Sequence, residues 1–267
     1  MGVLLNEENI YTLLFADDQV LLAEDEEDMS YMTRQLIEEY KKCGLEISEE
    51  KSQYMVVGGE GNSLNIDETT EIANVKECRY LGMTIKDDGR DEREIGYRIA
   101  KGKVLTRKLH SILWTDDISE RVKKQVFKTI VMSCVTYGAE VWTLTKKLKQ
   151  RLLAMEMNYW RRCCQLTLRD RVRNEVIREK MKLDRSVVDE VEEKQLQWYG
   201  HLRRMSPSRI PRKVYEWIPA ERRKRGRPRT VWQQNIEEAM ESRGIQQDVW
   251  RDRGRWRVEC GKRPGRL

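Results

Sequence analysis

Asp17 and Asp18 stand side by side in the run YTLLFADDQV (residues 11–20), where Leu13, Phe15, Val20 and Leu22 set an apolar period of two. That period marks a half-buried strand, and the acidic pair falls where the run must turn back on itself. The expectation is a β-hairpin with two carboxylates at its tip. Such a tip offers oxygen donors on a rigid stalk, of the kind a hard divalent cation takes alongside water or substrate oxygens. Lys51, between the strand-like segments 45–48 and 52–58, reads on position alone as an exposed turn lysine. Tyr80, Leu81 and Gly82 lie inside CRYLGMTI (78–85), read as one strand. A glycine there marks a close backbone approach or ordinary strand packing.

The elements that must hold these groups follow from periodicity and end signals. The run 2–15 reads as the first strand of the hairpin. Segment 24–44 is a helix: acids crowd its first turn, Lys41 and Lys42 sit in its last, and Gly44 follows. Met29, Met32, Leu36 and Tyr40 give it one apolar face. Beyond residue 90 the pattern turns helical. Segments 91–113, 118–142 and 146–166, joined by short loops, suggest an antiparallel bundle, and 185–205 is a fourth long helix. All five prolines, at 207, 211, 219, 228 and 264, come later, so 205–267 reads as a separate, looser module. The expected parts are 1–90, 91–170 and 171–267, the last with a Pro-rich linker, and the fold class is α+β.

Composition narrows the setting. The chain is 36% charged, with a mean hydropathy of −0.77. It has no run near the roughly 18 apolar residues that a membrane span needs. Six cysteines without a CxxC pair and only two histidines argue against zinc and for a reducing, intracellular setting, nucleus and/or cytoplasm. The charge is strongly divided: residues 1–100 hold 10 Lys+Arg against 24 Asp+Glu, and the rest hold 41 against 21. A basic half of this kind is a footprint for DNA or RNA. Its densest run supplies Arg222, Arg223, Lys224, Arg225, Arg227 and Arg229. The Arg-Gly-Arg-Pro within it is similar to the core of an AT-hook, which lies in a narrow minor groove. The same run also reads as a basic linker or a nuclear-localisation signal.

In this order, FADD (15–18), GLEISEEKS (44–52) and YLG (80–82) resemble the last three palm motifs of a reverse transcriptase of the non-LTR, LINE-type retrotransposon class. TYGAEVW (136–142) resembles the thumb of such elements. The stretch from QLQWYGHLRRM through GRPRTVW to DRGRWR resembles the region downstream of their polymerase. The resemblance covers nearly the whole chain. It implies the C-terminal part of a palm (β-hairpin, helix, short strands) followed by a mostly α-helical thumb and C-terminal region.

The resemblance also implies an RNA-directed DNA polymerase, a nucleotidyltransferase with an RNA template, a DNA primer and Mg2+. Asp17 would be the principal metal ligand and Asp18 its less direct neighbour. Lys51 would give a proton to the leaving pyrophosphate, and Tyr80, Leu81 and Gly82 would grip the primer strand. Nucleotide addition of this kind uses two metal ions about 3.5–4 Å apart, clamped by carboxylates. The family's fingers, its upstream catalytic aspartate and its glycine-rich nucleotide motif would all precede the hairpin, yet only sixteen residues stand before Asp17. The expectation is a truncated polymerase, inactive alone, with Mg2+ weak or absent. Two alternatives stand beside it: a nucleic-acid-binding module using the basic half, and a non-catalytic relic that binds a partner through an unpaired sheet edge.

Overall fold

A computed structural model describes residues 1–5, 7–48, 50–67, 70–217 and 230–264. The basic run 222–229 lies outside the described residues. The fold is α+β. Two compact units divide the chain: Met1–Arg90 with a segment starting at Ser206, and Asp91–Met205 with the C-terminal stretch.

The first unit opens with β1 (Val3–Leu5) and β2 (Glu8–Ile10), an antiparallel pair of their own. The run 2–15 is therefore not one strand. Its polar centre breaks the apolar alternation, and a short hairpin forms before the acidic one. Next come β3 (Thr12–Phe15) and β4 (Asp18–Leu21), the hairpin expected from the period-two pattern. Helix α1 (Glu26–Lys42) follows, and its ends explain themselves. The Asp25 carboxylate accepts from the Asp28 N–H at 2.8 Å, and Glu26, Glu27 and Asp28 sit where the helix dipole favours acids. At the other end Gly44 takes φ 73, while its N–H and that of Leu45 donate to the Lys41 and Tyr40 carbonyls, a Schellman closure.

Two further pairs complete the unit's strands: β5 (Leu64–Asn65) with β6 (Glu71–Ile72), and β7 (Glu77–Tyr80) with β8 (Met83–Lys86). Among the described residues each strand has a single partner. The expected strands 45–48 and 52–58 do not form. That region holds a turn, and one isolated bridge joins Tyr54 to Asn74. Nor is 78–85 one strand. Leu81 (φ 47) and Gly82 (φ 76) are both left-handed and form the two-residue turn between β7 and β8, as a type I′ turn requires. The glycine serves the turn rather than a strand interior.

The second unit is helical: α2 (Glu92–Lys108), α3 (His110–Leu113), α4 (Glu120–Val126), α5 (Ser133–Val135), α6 (Lys146–Cys163), α7 (Asn174–Lys180) and α8 (Val187–Arg204). A π-helical stretch, Phe127–Met132, joins α4 to α5. The helix expected over 118–142 stops at Val135, because Gly138 takes φ 69 and starts a 3-10 turn, Ala139–Val141. Helices α2, α6 and α8 pack on one apolar core that includes Ile95, Trp142, Leu152, Tyr159 and Val191. Gly102 lets α2 approach closely: a Cβ there would lie 2.6 Å from Val135 Cγ2 and 3.0 Å from Met155 Sδ.

Helix α9 (Ile210–Glu216) belongs to the first unit, where Lys213 pairs with Glu8. Helices α10 (Trp232–Ser242) and α11 (Arg253–Cys260) belong to the second and pack on α8 around Leu196, Ile236, Met240 and Trp256. The tail expected to be loose is, over 230–264, part of a packed core. Its tryptophans supply the apolar area that the charge-rich composition concealed.

Candidate active site

The register Phe15↔Asp18, Leu14↔Gln19, Leu13↔Val20 leaves Ala16 and Asp17 as a two-residue turn. Ala16 has φ 53 and Asp17 is not left-handed, the pattern of a type II′ turn, in which the first central position favours glycine. Cross-strand partners share a face, so Asp18 lies with Phe15, Leu13 and Val20, opposite Gln19 and Thr12. Gln19 ties the hairpin to α1: its Oε1 accepts from the Tyr40 hydroxyl at 2.5 Å, and its Nε2 donates to Thr12 Oγ1 at 3.2 Å. Both aspartates are exposed, as are Leu14 and Phe15 beside them. The half-buried pattern expected of this strand holds at the hairpin base but fails at the tip, where among the described residues no third strand covers it.

Two adjacent carboxylates are a partial donor set. Among the described residues no group of three or more His, Cys, Asp or Glu side chains converges to hold an ion. A two-metal clamp needs donors for two ions about 3.5–4 Å apart. Asp17 and Asp18 alone do not fit one.

The other candidates lie on other elements of the first unit. Lys51 is exposed in a turn, where its N–H donates to the Ser48 carbonyl at 3.2 Å, and the Ser52 hydroxyl donates to the same oxygen at 2.8 Å. Among the described residues no hydrogen bond or ion pair joins Lys51 to either aspartate. Tyr80 closes the β7–β8 hairpin opposite Met83, with Leu81 and Gly82 as its turn. The charged run from Arg222 to Arg229 falls outside the described residues.

The helical unit holds groups that the motifs do not include. Glu156 on α6 is buried and accepts from the Val187 N–H at 3.2 Å, in the first turn of α8, and from Trp160 Nε1 at 3.3 Å. Burial pushes its carboxyl above the usual range, while these donors and Arg178 at 3.8 Å oppose the rise. Burial also pushes the Cys163 and Cys260 thiols up to about 12, which leaves them protonated and inert as nucleophiles. A cleft of about 460 Å³ opens where α3 meets the end of α6, with Trp114, Arg161 and Arg162 in its lining. Its only sequence signal was the basic, aromatic character of NYWRRCC (158–164).

Residues 2–85 match the family described as reverse transcriptase (RNA-dependent DNA polymerase). A transposon-derived protein of Caenorhabditis elegans is 28% identical over 272 residues, a span covering 94% of this chain and 95% of that protein. The acidic hairpin, α1 and the β7–β8 hairpin all fall within the matched residues, save the last position of β8. The chain is thus similar to reverse transcriptases over its first third, and to a transposon-derived protein along nearly its whole length.

Proposed function

We propose that this chain is the C-terminal part of the RNA-directed DNA polymerase of a non-LTR retrotransposon, and that alone it does not extend primers. The observation that carries this reading is the Ala16–Asp17 turn, which lifts a carboxylate to the tip of a braced hairpin within the reverse-transcriptase-like residues. In that role Asp17 and Asp18 supply part of a metal clamp, Lys51 faces the departing pyrophosphate, and Tyr80, Leu81 and Gly82 meet the primer strand. Two carboxylates do not complete the clamp, so the chain retains nucleic-acid binding without the transfer step. The parts that serve these roles are a palm portion over 1–90, a thumb-like bundle over 91–170 and a basic region over 171–267.

A second reading has its own support in the charge division. With 41 Lys+Arg against 21 Asp+Glu beyond residue 100, the basic half binds DNA or RNA whether or not the acidic hairpin is used. Fluorescence anisotropy with an RNA–DNA primer–template tests what the two readings share. The expected result is binding that weakens steeply with salt. Absence of binding at low salt would overturn both.

A further inference from the structure

The cleft of about 460 Å³ lies wholly within the helical unit and falls in the size range of small-ligand sites. Its lining combines an aromatic face with cations and includes no carboxylate. The half-buried Trp114, which ends α3, lies with its ring centroid 5.1 Å from that of His110. Arg161 and Arg162 come from the last turn of α6, and Arg169 from the loop after it. Arg162 is positioned by two neighbours: its Nη1 lies 3.1 Å from His110 Nδ1, and its Nε donates to Asn158 Oδ1 at 3.4 Å.

Arg161 is the more buried of the pair. It is 7% exposed, and its Nη2 donates to the Val172 carbonyl at 2.8 Å and to Asn174 Oδ1 at 2.6 Å. Its Nη1 is closed to solvent and has no hydrogen-bond partner among the described residues. The Asp170 carboxylate nearby is already held by the Thr167 N–H at 2.6 Å and hydroxyl at 2.8 Å.

We propose that this cleft takes one unpaired nucleotide of a nucleic-acid strand, its base against Trp114 and its phosphate against Arg162, with the Arg161 charge beside it. Planar guanidinium groups match phosphate oxygens, and an indole face accepts any base by stacking. A paired base inside a duplex is stacked on both faces and cannot offer one to Trp114. This proposal rests on the nucleic-acid-binding reading but goes further, because it names a site and a strand state.

The test uses the full chain and a fluorescein-labelled octathymidylate, with a blunt duplex of equal charge as the second probe. Trp114→Ala should weaken octathymidylate binding about tenfold, the loss expected when one stacked base is released. Trp114→Phe should recover most of it, and Arg162→Gln should weaken it severalfold. Duplex binding should change less than twofold in all three variants. Thymidine monophosphate should compete for the octathymidylate better than pyrophosphate does, which separates nucleotide recognition from simple anion binding. If the octathymidylate is unaffected by Trp114→Ala and Arg162→Gln, the cleft proposal is overturned while the basic-half reading stands. Equal losses on both probes, or pyrophosphate competing as well as the nucleotide, would overturn it too.

Discussion

The indole of Trp256 crosses α8 directly over Gly200, where a Cβ would lie 2.2 Å from Nε1. The same Nε1–H donates to the Leu196 carbonyl at 3.0 Å, and Trp256 is 2% exposed. This packing joins the C-terminal helices to the bundle. Ala in place of Gly normally stabilises a helix interior by about 1 kcal/mol. Here Gly200→Ala must displace a buried, hydrogen-bonded ring, so the variant should lose about 1–3 kcal/mol by denaturant unfolding. A stability gain would contradict the packing of α11 on α8.

The turn at Ala16 gives the opposite sign. An alanine at φ 53 carries strain that glycine does not, on the order of 1 kcal/mol. Ala16→Gly should stabilise the hairpin by up to about 1 kcal/mol, less the extra entropy of a glycine in the unfolded chain. Amide exchange of the β3–β4 ladder reads this directly. Faster exchange in the variant would mean that the turn is not left-handed at this position.

Those two residues show what the sequence made legible. Helix α1 was readable from the acids in its first turn, Lys41 and Lys42 in its last and Gly44 beyond; the structure adds side-chain caps, Asp25 on α1 and Ser186 on α8. The acidic hairpin was readable from period two. The β7–β8 hairpin was not, because its turn puts leucine at φ 47, against ordinary turn chemistry. Helix 118–142 was overextended since Ala139, Val141 and Trp142 continue an apolar pattern past the left-handed Gly138. The cleft was hidden for another reason. His110 and Arg162 meet across 52 positions of chain, which no local pattern reports. Candidate site residues were legible as motifs, but the turns that carry them, at Ala16–Asp17 and Leu81–Gly82, were not.

Glu156 sets a pH dependence. Its folded-state carboxyl is raised by burial, so it favours folding when protonated, below its unfolded value near 4.5. That contribution is lost as pH rises through the higher folded value. Glu156→Gln keeps an acceptor for the Val187 N–H without a charge. Wild type should therefore lose stability relative to the variant as pH rises from about 4.5 toward neutrality. Parallel stability curves across that window would show that Arg178 and the two N–H donors fully offset the burial.

Binding through the basic run should be electrostatic. Replacing Arg222, Arg223, Lys224, Arg225, Arg227 and Arg229 with glutamine should lower both affinity and the slope of log affinity against log salt. On a duplex the slope should fall by about 0.9 for each phosphate that is no longer neutralised. Unchanged affinity would make the run a solvated linker. A preference for A·T-rich duplex that disappears in Arg227→Ala would identify it as a minor-groove element of the AT-hook kind.

Primer extension on an RNA template, with magnesium or manganese and the purified chain, tests the polymerase reading most directly. Asp17 and Asp18 present two carboxylates where the reaction needs a clamp around two ions, and positioning supplies much of the rate in such transfers. The predicted result is no extension, with template binding unchanged in Asp17→Asn. Template-dependent extension by the wild-type chain, lost in Asp17→Asn, would contradict it.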